Sequence, residues 1–134
     1  QSLNLSRNQI LKHSTALKGL TELRKLNKVD LSFNFISSME GAYMMLGNIK
    51  TLVLSGNRLR KTEGLEKLYS LEVLMLDRNE IEDFTSITNI SSLPCLNELT
   101  LAGNPMCSID GGYRVSVLNL FREKRGEVDL NEER

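Results

Sequence analysis

The sequence has no excess of charge of either sign. Lys and Arg together number 17, as do Asp and Glu, so the formal net charge at pH 7 is zero. Nucleic-acid-binding proteins usually carry a basic excess that neutralises phosphate, and segments that bind anionic lipid carry clustered Lys and Arg. The charge balance therefore argues against nucleic acid as a ligand and against direct membrane binding by this segment.

Long apolar runs are also missing, although hydrophobic residues make up 40% of the chain. No stretch approaches the roughly 20 apolar residues that a membrane-spanning helix needs. With 134 residues, the chain has the length of one domain with a substantial core. No signal peptide is evident at the N-terminus, where a leucine pattern is already under way. We therefore expect the chain to be part of a longer protein.

Cysteine and histidine are scarce. Cys95 and Cys107 are the two cysteines, and the apolar run at 93–96 predicts that Cys95 is a buried free thiol. The single histidine, His13, has no second metal ligand at a recognised spacing and is expected on the solvated surface. No glycine-rich phosphate-binding loop and no nucleophile–base arrangement occurs. We predict no catalytic, cofactor or metal site, and we expect that the protein is not an enzyme.

An internal repeat dominates the chain. The pattern Leu-x-x-Leu-x-Leu-x-x-Asn-x-Leu, with other aliphatic residues allowed at the Leu positions, occurs in five copies, of which the first is truncated. Successive asparagines of the pattern are separated by 26, 23, 22 and 25 positions. They are Asn8, Asn34, Asn57, Asn79 and Asn104. A near-constant period of this length predicts a solenoid in which each repeat stacks on the next.

Each part of the pattern has a structural task. The Leu-x-Leu segments predict short parallel strands whose alternate side chains enter the core. The asparagine follows each strand, where its buried amide is expected to bond backbone groups of the bend and of the adjacent repeat. Stacked repeats would then form an asparagine ladder. The predicted strands are 3–5, 29–31, 52–54, 74–76 and 99–101.

A second set of apolar residues lies between the strands. Most of these residues form pairs spaced by three positions, which predicts short helices or 3₁₀ turns on the convex side. One pair is wider and predicts a longer excursion. The pairs are Leu17 and Leu20, Leu65 and Leu68, Ile87 and Ile90, and the wider Met39 and Leu46. The chain is thus expected to be an α/β solenoid with strands on its concave face.

The C-terminal end departs from the repeat. Residues 110–113 offer turn and N-cap chemistry, and Tyr113, Val117, Leu120 and Phe121 lie at helical spacing on one apolar face. A solenoid needs a cap over its last repeat. The expected division is repeats at 1–109, a capping helix at 110–125 and a polar, partly disordered tail at 126–134.

The repeats, together with the Tyr-Arg-x-x-Val-Leu-x-x-Phe ending at 113–121, resemble the intracellular leucine-rich repeat proteins of the phosphatase-regulatory-subunit type. The chain has no cluster of cysteines like those that cap secreted leucine-rich repeat proteins. Because those caps are missing, we expect a cytoplasmic protein.

Runs outside the leucine pattern resemble, more narrowly, the repeat domain of the nischarin family of cytosolic and endosomal scaffolds, also known as imidazoline-receptor candidates. The runs are 46–52, 66–71, 92–96, 113–114 and 126–128. This resemblance implies small GTPases, Rac-effector kinases and integrin cytoplasmic tails as partners. It also implies endosomal placement through domains outside this chain, among them an upstream phosphoinositide-binding domain. Residues 107–112 depart from that family's pattern.

The solvent-facing strand positions should line the concave face, which is the usual binding surface of a solenoid. Phe33, Val53, Val73 and Met75 predict an apolar centre with charged flanks, as expected of a protein-binding surface. Alternatively, Phe33 and Phe35 stack on each other, or Val53 and Met75 reflect strand propensity alone. The candidate partner-binding residues are Lys28, Asp30, Phe33, Phe35, Val53, Val73, Met75, Asp77, Arg78, Glu98 and Thr100.

The favoured function is therefore a protein–protein interaction scaffold that uses the concave face. A regulatory subunit that binds and tunes a protein phosphatase is the alternative. A part in an RNA–protein particle is a third reading, which the neutral charge disfavours.

Overall fold

Five short strands form one parallel sheet in the computed structural model, which describes residues 2–17, 25–109 and 112–125. The order of the strands across the sheet is their order along the chain. Each strand begins one residue before the Leu-x-Leu segment that predicts it, so the segments are confirmed as strands with a constant offset. The strands are β1 (Ser2–Asn4), β2 (Lys28–Asp30), β3 (Thr51–Val53), β4 (Val73–Met75) and β5 (Glu98–Thr100).

Equivalent positions of successive repeats lie side by side in this sheet. Val29 pairs with Leu52, Leu52 with Leu74, and Leu74 with Leu99. These four side chains point into the core and are at most 4% exposed. Side chains alternate along a strand, so the residues before and after each of them point to the opposite face, which we call the concave face.

Short helices connect the strands on the convex side, as the apolar pairs predict. Their buried leucines and isoleucines are at most 2% exposed, and burying each such side chain contributes about 1.5–3 kcal/mol to stability. Leu20, the partner of Leu17 in the first pair, lies outside the described residues. The elements are α1 (His13–Leu17), α2 (Tyr43–Leu46), a 3₁₀ helix at Leu65–Lys67, α3 (Thr85–Thr88) and a second 3₁₀ helix at Ile90–Ser92.

An asparagine ladder joins the repeats where the chain leaves each strand. The Asn57 amide group donates to the carbonyl of Leu54 in its own repeat at 3.0 Å and to that of Leu31 in the preceding repeat at 2.9 Å. Its Oδ1 accepts from the N–H of Ile36 at 3.0 Å. Equivalent bonds recur at Asn34, Asn79 and Asn104. Each of these asparagines satisfies backbone groups of two repeats at once.

The ladder prediction is wrong in one respect, because Asn8 is exposed rather than buried. Its Nδ2 donates to the carbonyl groups of Leu5 and Ser6 at 2.8 and 3.1 Å, both within its own repeat. No described repeat precedes it, so the bonds to a preceding repeat that the other four asparagines make have no counterpart here.

Two helices follow the last strand. The first, α4 (Pro105–Ile109), was not predicted from the sequence, and Met106 within it is 3% exposed. The second, α5 (Tyr113–Arg125), is the predicted C-terminal helix and packs against the 3₁₀ helix at 90–92. Val117 and Phe121 of α5 are 4% and 7% exposed, and Tyr113 and Leu120 pack against the same core. The predicted N-cap at 110–111, the run at 126–128 and the polar tail at 126–134 lie outside the described residues.

The burial predictions for His13 and Cys95 are also wrong. His13 is 5% exposed instead of solvated, because α1 turns its ring toward the next repeat, where Nε2 lies 2.9 Å from the carbonyl oxygen of Glu40. Cys95 is exposed instead of buried. The chain turns at 94–95, so that Leu93 and Leu96 enter the core at 1% exposure while the thiol between them points outward.

Candidate functional site

The side chains of the concave face form rows that run across the strands. The first row contains the first residue of each strand, and the second row contains the third residue. Two residues after each strand a third row, the turn row, is aligned by backbone hydrogen bonds of 2.8–3.0 Å. The first row is Ser2, Lys28, Thr51, Val73 and Glu98; the second is Asn4, Asp30, Val53, Met75 and Thr100; the turn row is Ser6, Ser32, Ser55, Asp77 and Ala102.

The apolar part of this face is smaller than the sequence predicts. Val73 and Met75 lie together on β4 and are both half-buried, so part of each side chain reaches solvent. Val53 is only 8% exposed, because Asp30 and Met75 flank it on the neighbouring strands. The expectation that Val53 is exposed is therefore wrong, and the accessible apolar centre is Val73 with Met75.

Hydroxyl groups hold the acidic side chains of the face in place. The Oδ1 atom of Asp77 accepts hydrogen bonds from Ser55 Oγ at 2.7 Å and from Thr100 Oγ1 at 2.8 Å. These bonds tie three consecutive repeats together across the face. Asp30 is held within its own repeat, since its Oδ1 accepts from the N–H of Ser32 at 2.9 Å and from its hydroxyl at 2.6 Å. Ser55, Asp77 and Thr100, which lie near Met75, are therefore held by one another before any partner binds.

A fourth row precedes the ladder asparagines, and every member has a positive φ between 56° and 81°. Its members are Arg7, Phe33, Gly56, Arg78 and Gly103. Most residues avoid this left-handed region, whereas glycine adopts it readily. We call this the left-handed row. Because positive φ recurs at this one repeat position, the turn geometry overrides the preference of Arg7, Phe33 and Arg78 for negative φ.

Large side chains pack over their neighbours along the left-handed row. The guanidinium carbon of Arg7 lies 4.6 Å from the centroid of the Phe33 ring, and that ring covers Gly56 in the next repeat. A Cβ atom on Gly56 would lie 2.5 Å from Phe33 Cδ1. Phe33 keeps 36% of its surface exposed, so it borders the concave face.

Phe35 does not stack on Phe33, and the alternative that pairs the two rings is wrong. Its ring is half-buried beneath Arg58, whose guanidinium carbon lies 4.4 Å from the ring centroid. Each phenylalanine thus has an arginine from a neighbouring repeat as its stacking partner. The structure places Phe35 beyond the ladder, away from the rows of the concave face. Of the other ten candidate residues, eight lie in the first, second and turn rows, and Phe33 and Arg78 lie in the left-handed row beside them.

Arg58 also lines a groove of about 660 Å³ beyond the ladder. Three basic and three acidic side chains face it, and Arg60 Nε lies 3.4 Å from Glu80 Oε1. Opposite charges in equal number give no concentrated potential for an anion or a cation. The charged lining residues are Glu40, Arg58, Arg60, Lys61, Glu63 and Glu80.

The two cysteines are free thiols in different surroundings. Cys107 is half-buried, and its Sγ donates to the Leu101 carbonyl at 3.0 Å. Burial raises the pKa of the Cys107 thiol above its ordinary value of 9.0, against smaller opposing effects of hydrogen bonds to Tyr113 and Asn104. Because the thiolate is the reactive form, Cys107 is less nucleophilic at neutral pH than a solvated cysteine.

Within residues 2–17, 25–109 and 112–125, no group of three or more His, Cys, Asp or Glu side chains is placed to hold a metal ion. No helix of these ranges combines the length and the apolar character that crossing a membrane would need.

Comparison with known proteins identifies relatives along most of the chain. The leucine-rich repeat family model matches residues 15–130. An uncharacterized leucine-rich repeat-containing protein of Schizosaccharomyces pombe is 34% identical over 130 residues, which cover 96% of this chain and 20% of that protein. The protein phosphatase 1 regulatory inhibitor subunit PPP1R7 homolog of Arabidopsis thaliana is 32% identical over 126 residues, which cover 82% of this chain and 35% of that protein. The chain thus spans about a fifth and about a third of these relatives.

Among solved structures, a chain in the crystal structure of the Drosophila melanogaster SNF/U2A′ complex has the same fold. The TM-score is 0.71 at 23% sequence identity, and the match covers 92% of this chain and 69% of that chain. At this identity the likeness concerns the fold alone.

Proposed function

The chain belongs to the leucine-rich repeat family, and from that premise we propose that it is an interaction scaffold whose protein partner binds the concave face. The family's fold generally serves protein–protein interaction, and its members are typically scaffolds without catalytic activity. A curved, open sheet presents one side chain from every repeat in each row, which suits a partner that contacts several repeats together.

The observation that carries the proposal is the pair Val73 and Met75. Both are half-buried apolar side chains on the fourth strand, with polar side chains beside them on the concave face, and hydroxyl groups anchor the neighbouring carboxylate of Asp77. Interfaces commonly place apolar anchors in the middle and polar groups at the rim. Because the side chains of Ser55, Asp77 and Thr100 already hold one another, binding would cost little additional entropy for these three.

The proposal includes the domain organisation expected from the sequence. Residues 1–109 form the repeats, and residues 110–125 form a cap. The burial of Val117 and Phe121 against the last repeats supports the cap. The partner surface then lies entirely on the repeats.

A matched pair of methionine variants tests the proposed face. Met75→Ala should weaken the recovery of bound proteins from cell extract, measured by quantitative mass spectrometry, by about fivefold to thirtyfold, as expected for a central contact residue. Met44→Ala is the control, since Met44 is 74% exposed on the convex side. Equal recovery by Met75→Ala and the unchanged chain would contradict the proposal, provided that their thermal midpoints agree.

We further propose a cytosolic scaffold of the nischarin type, with small GTPases, Rac-effector kinases and integrin cytoplasmic tails as partners and endosomal placement through domains outside this chain. The runs at 46–52 and 66–71 support this proposal by resemblance alone. Recovery of small GTPases or integrin tails with the unchanged chain, and their loss with Met75→Ala, is the expected result.

Regulation of a protein phosphatase is the second candidate function. The observation in its favour is the 32% identity to the PPP1R7 homolog of Arabidopsis thaliana. In the same recovery experiment, a phosphatase catalytic subunit that depends on Met75 would favour this candidate over the first.

A further inference from the structure

Charged side chains follow a simple order where the strands begin. In the second and third repeats the charge is positive, carried by Lys28 and Lys50; in the fourth and fifth it is negative, carried by Glu72 and Glu98. Lys28 and Glu98 belong to the first row. Lys50 and Glu72 lie just before their strands, and the N–H of Glu72 donates to the carbonyl of Lys50 at 2.8 Å. We call this line of four residues the strand-start edge.

These four charges have no partner within the described part of the chain. Lys28, Lys50 and Glu98 are exposed and Glu72 is half-buried, and none of the four takes part in an ion pair or a side-chain hydrogen bond there. Asp30 and Asp77, by contrast, already accept hydroxyl hydrogen bonds. The strand-start edge therefore keeps its full charge available to a bound molecule.

The outermost charges of the edge, Lys28 and Glu98, are far enough apart to act on different parts of a ligand, whereas Lys50 and Glu72 lie in adjacent repeats. Lys28 and Glu98 are three strand spacings apart, which is about 14 Å at the usual 4.7–4.9 Å per strand. That separation exceeds the screening length of about 8 Å at physiological ionic strength. A polymer of one sign would be attracted by one half of the edge and repelled by the other, which disfavours nucleic acid.

From this arrangement we propose that the partner of the concave face is a protein segment with an apolar centre, acidic residues at one end and basic residues at the other. Its acidic end lies over Lys28 and Lys50, its basic end over Glu72 and Glu98, and its centre contacts Val73 and Met75. A span of about 14 Å corresponds to roughly nine or ten helical residues at 1.5 Å per residue. This inference rests on the proposed function, because it assumes that the concave face binds protein.

Charge order of this kind determines the direction in which a segment binds. Rim charges contribute more to encounter rate and orientation than to affinity. Reversing the charges at one end should therefore change the affinity only moderately. Reversing both ends of the strand-start edge should leave affinity nearly unchanged, since the same segment can bind in the opposite direction. Reversing the charges at only one end gives both ends of the edge the same sign. The segment then has one end facing like charge in either direction, so turning around cannot restore its affinity.

The test uses a phage-displayed library of random 16-residue peptides selected on the 134-residue chain. Peptides that lose binding to Met75→Ala are retained as ligands of the concave face. We expect an apolar centre with acidic residues confined to one end and basic residues to the other. Their affinities are then measured by fluorescence anisotropy on charge variants, at low and at physiological salt.

Three variants and a control complete the test. Lys28→Glu with Lys50→Glu, and Glu72→Lys with Glu98→Lys, should each weaken binding roughly tenfold, while all four changes together should restore it to within about threefold. Lys61→Glu with Glu63→Lys is the control, because both residues are exposed and lie beyond the ladder. Thermal midpoints check that the variants fold.

The outcomes separate this inference from the proposed function. Peptides that depend on Met75 but carry no segregated charge, or that ignore the charge variants, overturn the charge order and leave the concave binding face intact. Peptides of one sign that respond only to the lysines, or only to the glutamates, also overturn it. If no selected peptide depends on Met75, the proposed function itself fails.

Discussion

The first repeat and the middle repeats share one sequence pattern but differ in how far their neighbours complete it. Leu74 of β4 is 0% exposed, with β3 on one side and β5 on the other. Leu3, at the equivalent position of β1, is only half-buried, because among the described strands only β2 lies beside β1. A repeat residue therefore acquires its full burial only from the repeats on both sides.

The ladder shows the same difference for a polar group. The Asn57 side chain bonds to the backbone of two repeats and Asn57 is 5% exposed, whereas Asn8 is exposed and its side chain donates only within its own repeat. Losing a buried bonding partner is costly, while a solvated group can exchange its bonds with water. Position in the stack, not residue type, should then decide the effect of a substitution.

The largest difference is expected between Leu74→Ala and Leu3→Ala. Removing the enclosed Leu74 side chain leaves a cavity in the sheet and should lower the free energy of unfolding by about 2–5 kcal/mol. Leu3→Ala, in the same 134-residue chain, removes a side chain that is only half-buried and should cost about 1 kcal/mol. Urea denaturation followed by circular dichroism measures both. Equal losses would show that the first repeat is as well enclosed as the fourth.

Asn57→Ala against Asn8→Ala tests the polar half of the comparison. Asn57→Ala leaves the Ile36 N–H and the Leu31 and Leu54 carbonyls without their side-chain partner, at a cost of about 1–3 kcal/mol. Asn8→Ala exposes its former partners to water and should cost less than about 0.5 kcal/mol. The same denaturation experiment applies. An Asn8 variant as unstable as the Asn57 variant would refute the distinction between buried and exposed rungs.

The repeat pattern predicts the fold well because burial in a solenoid follows the period. Strands, the ladder and the convex pairs such as Leu65 and Leu68 all follow from residues that recur every 22 to 26 positions. The constant offset of one residue in the strands arises because backbone pairing begins before the first inward-facing Leu. For these elements, the spacing of the apolar residues and asparagines is enough to predict the structure.

What the pattern does not predict depends on contacts across repeats or on the direction of a turn. The burial of His13 depends on the Glu40 carbonyl, which is 27 positions away, and the exposure of Cys95 depends on how the turn at 94–95 is oriented. On the binding face, the anchoring of Asp77 by Ser55 and Thr100 joins three repeats and has no local signal. The glycines at 56 and 103 do indicate the left-handed row in the sequence, because they occupy the repeat position that Phe33 and Arg78 occupy in other repeats.

Those two glycines allow the smallest expected effect to be measured with its own control. Gly56→Ala and Gly103→Ala each place a side chain at positive φ, 74° and 81°, which costs about 1 kcal/mol. At Gly56 the new Cβ would also lie 2.5 Å from the Phe33 ring, whereas at Gly103 the nearest atom is Arg78 Cγ at 3.1 Å. The Arg78 side chain is flexible and exposed, while Phe33 is held beneath Arg7.

Gly56→Ala should therefore destabilise the protein by about 1 kcal/mol more than Gly103→Ala. The Cβ atom added at Gly56 must displace the Phe33 ring, whereas the Arg78 side chain can move away from the Cβ atom added at Gly103. In a Phe33→Ala background this excess should disappear, which a double-mutant cycle measures as a coupling energy. If Gly56→Ala and Gly103→Ala cost the same in both backgrounds, the interlocking of Phe33 with Gly56 contributes nothing. The left-handed row would then reflect turn geometry alone, and the comparison between repeats would rest on the core and the ladder.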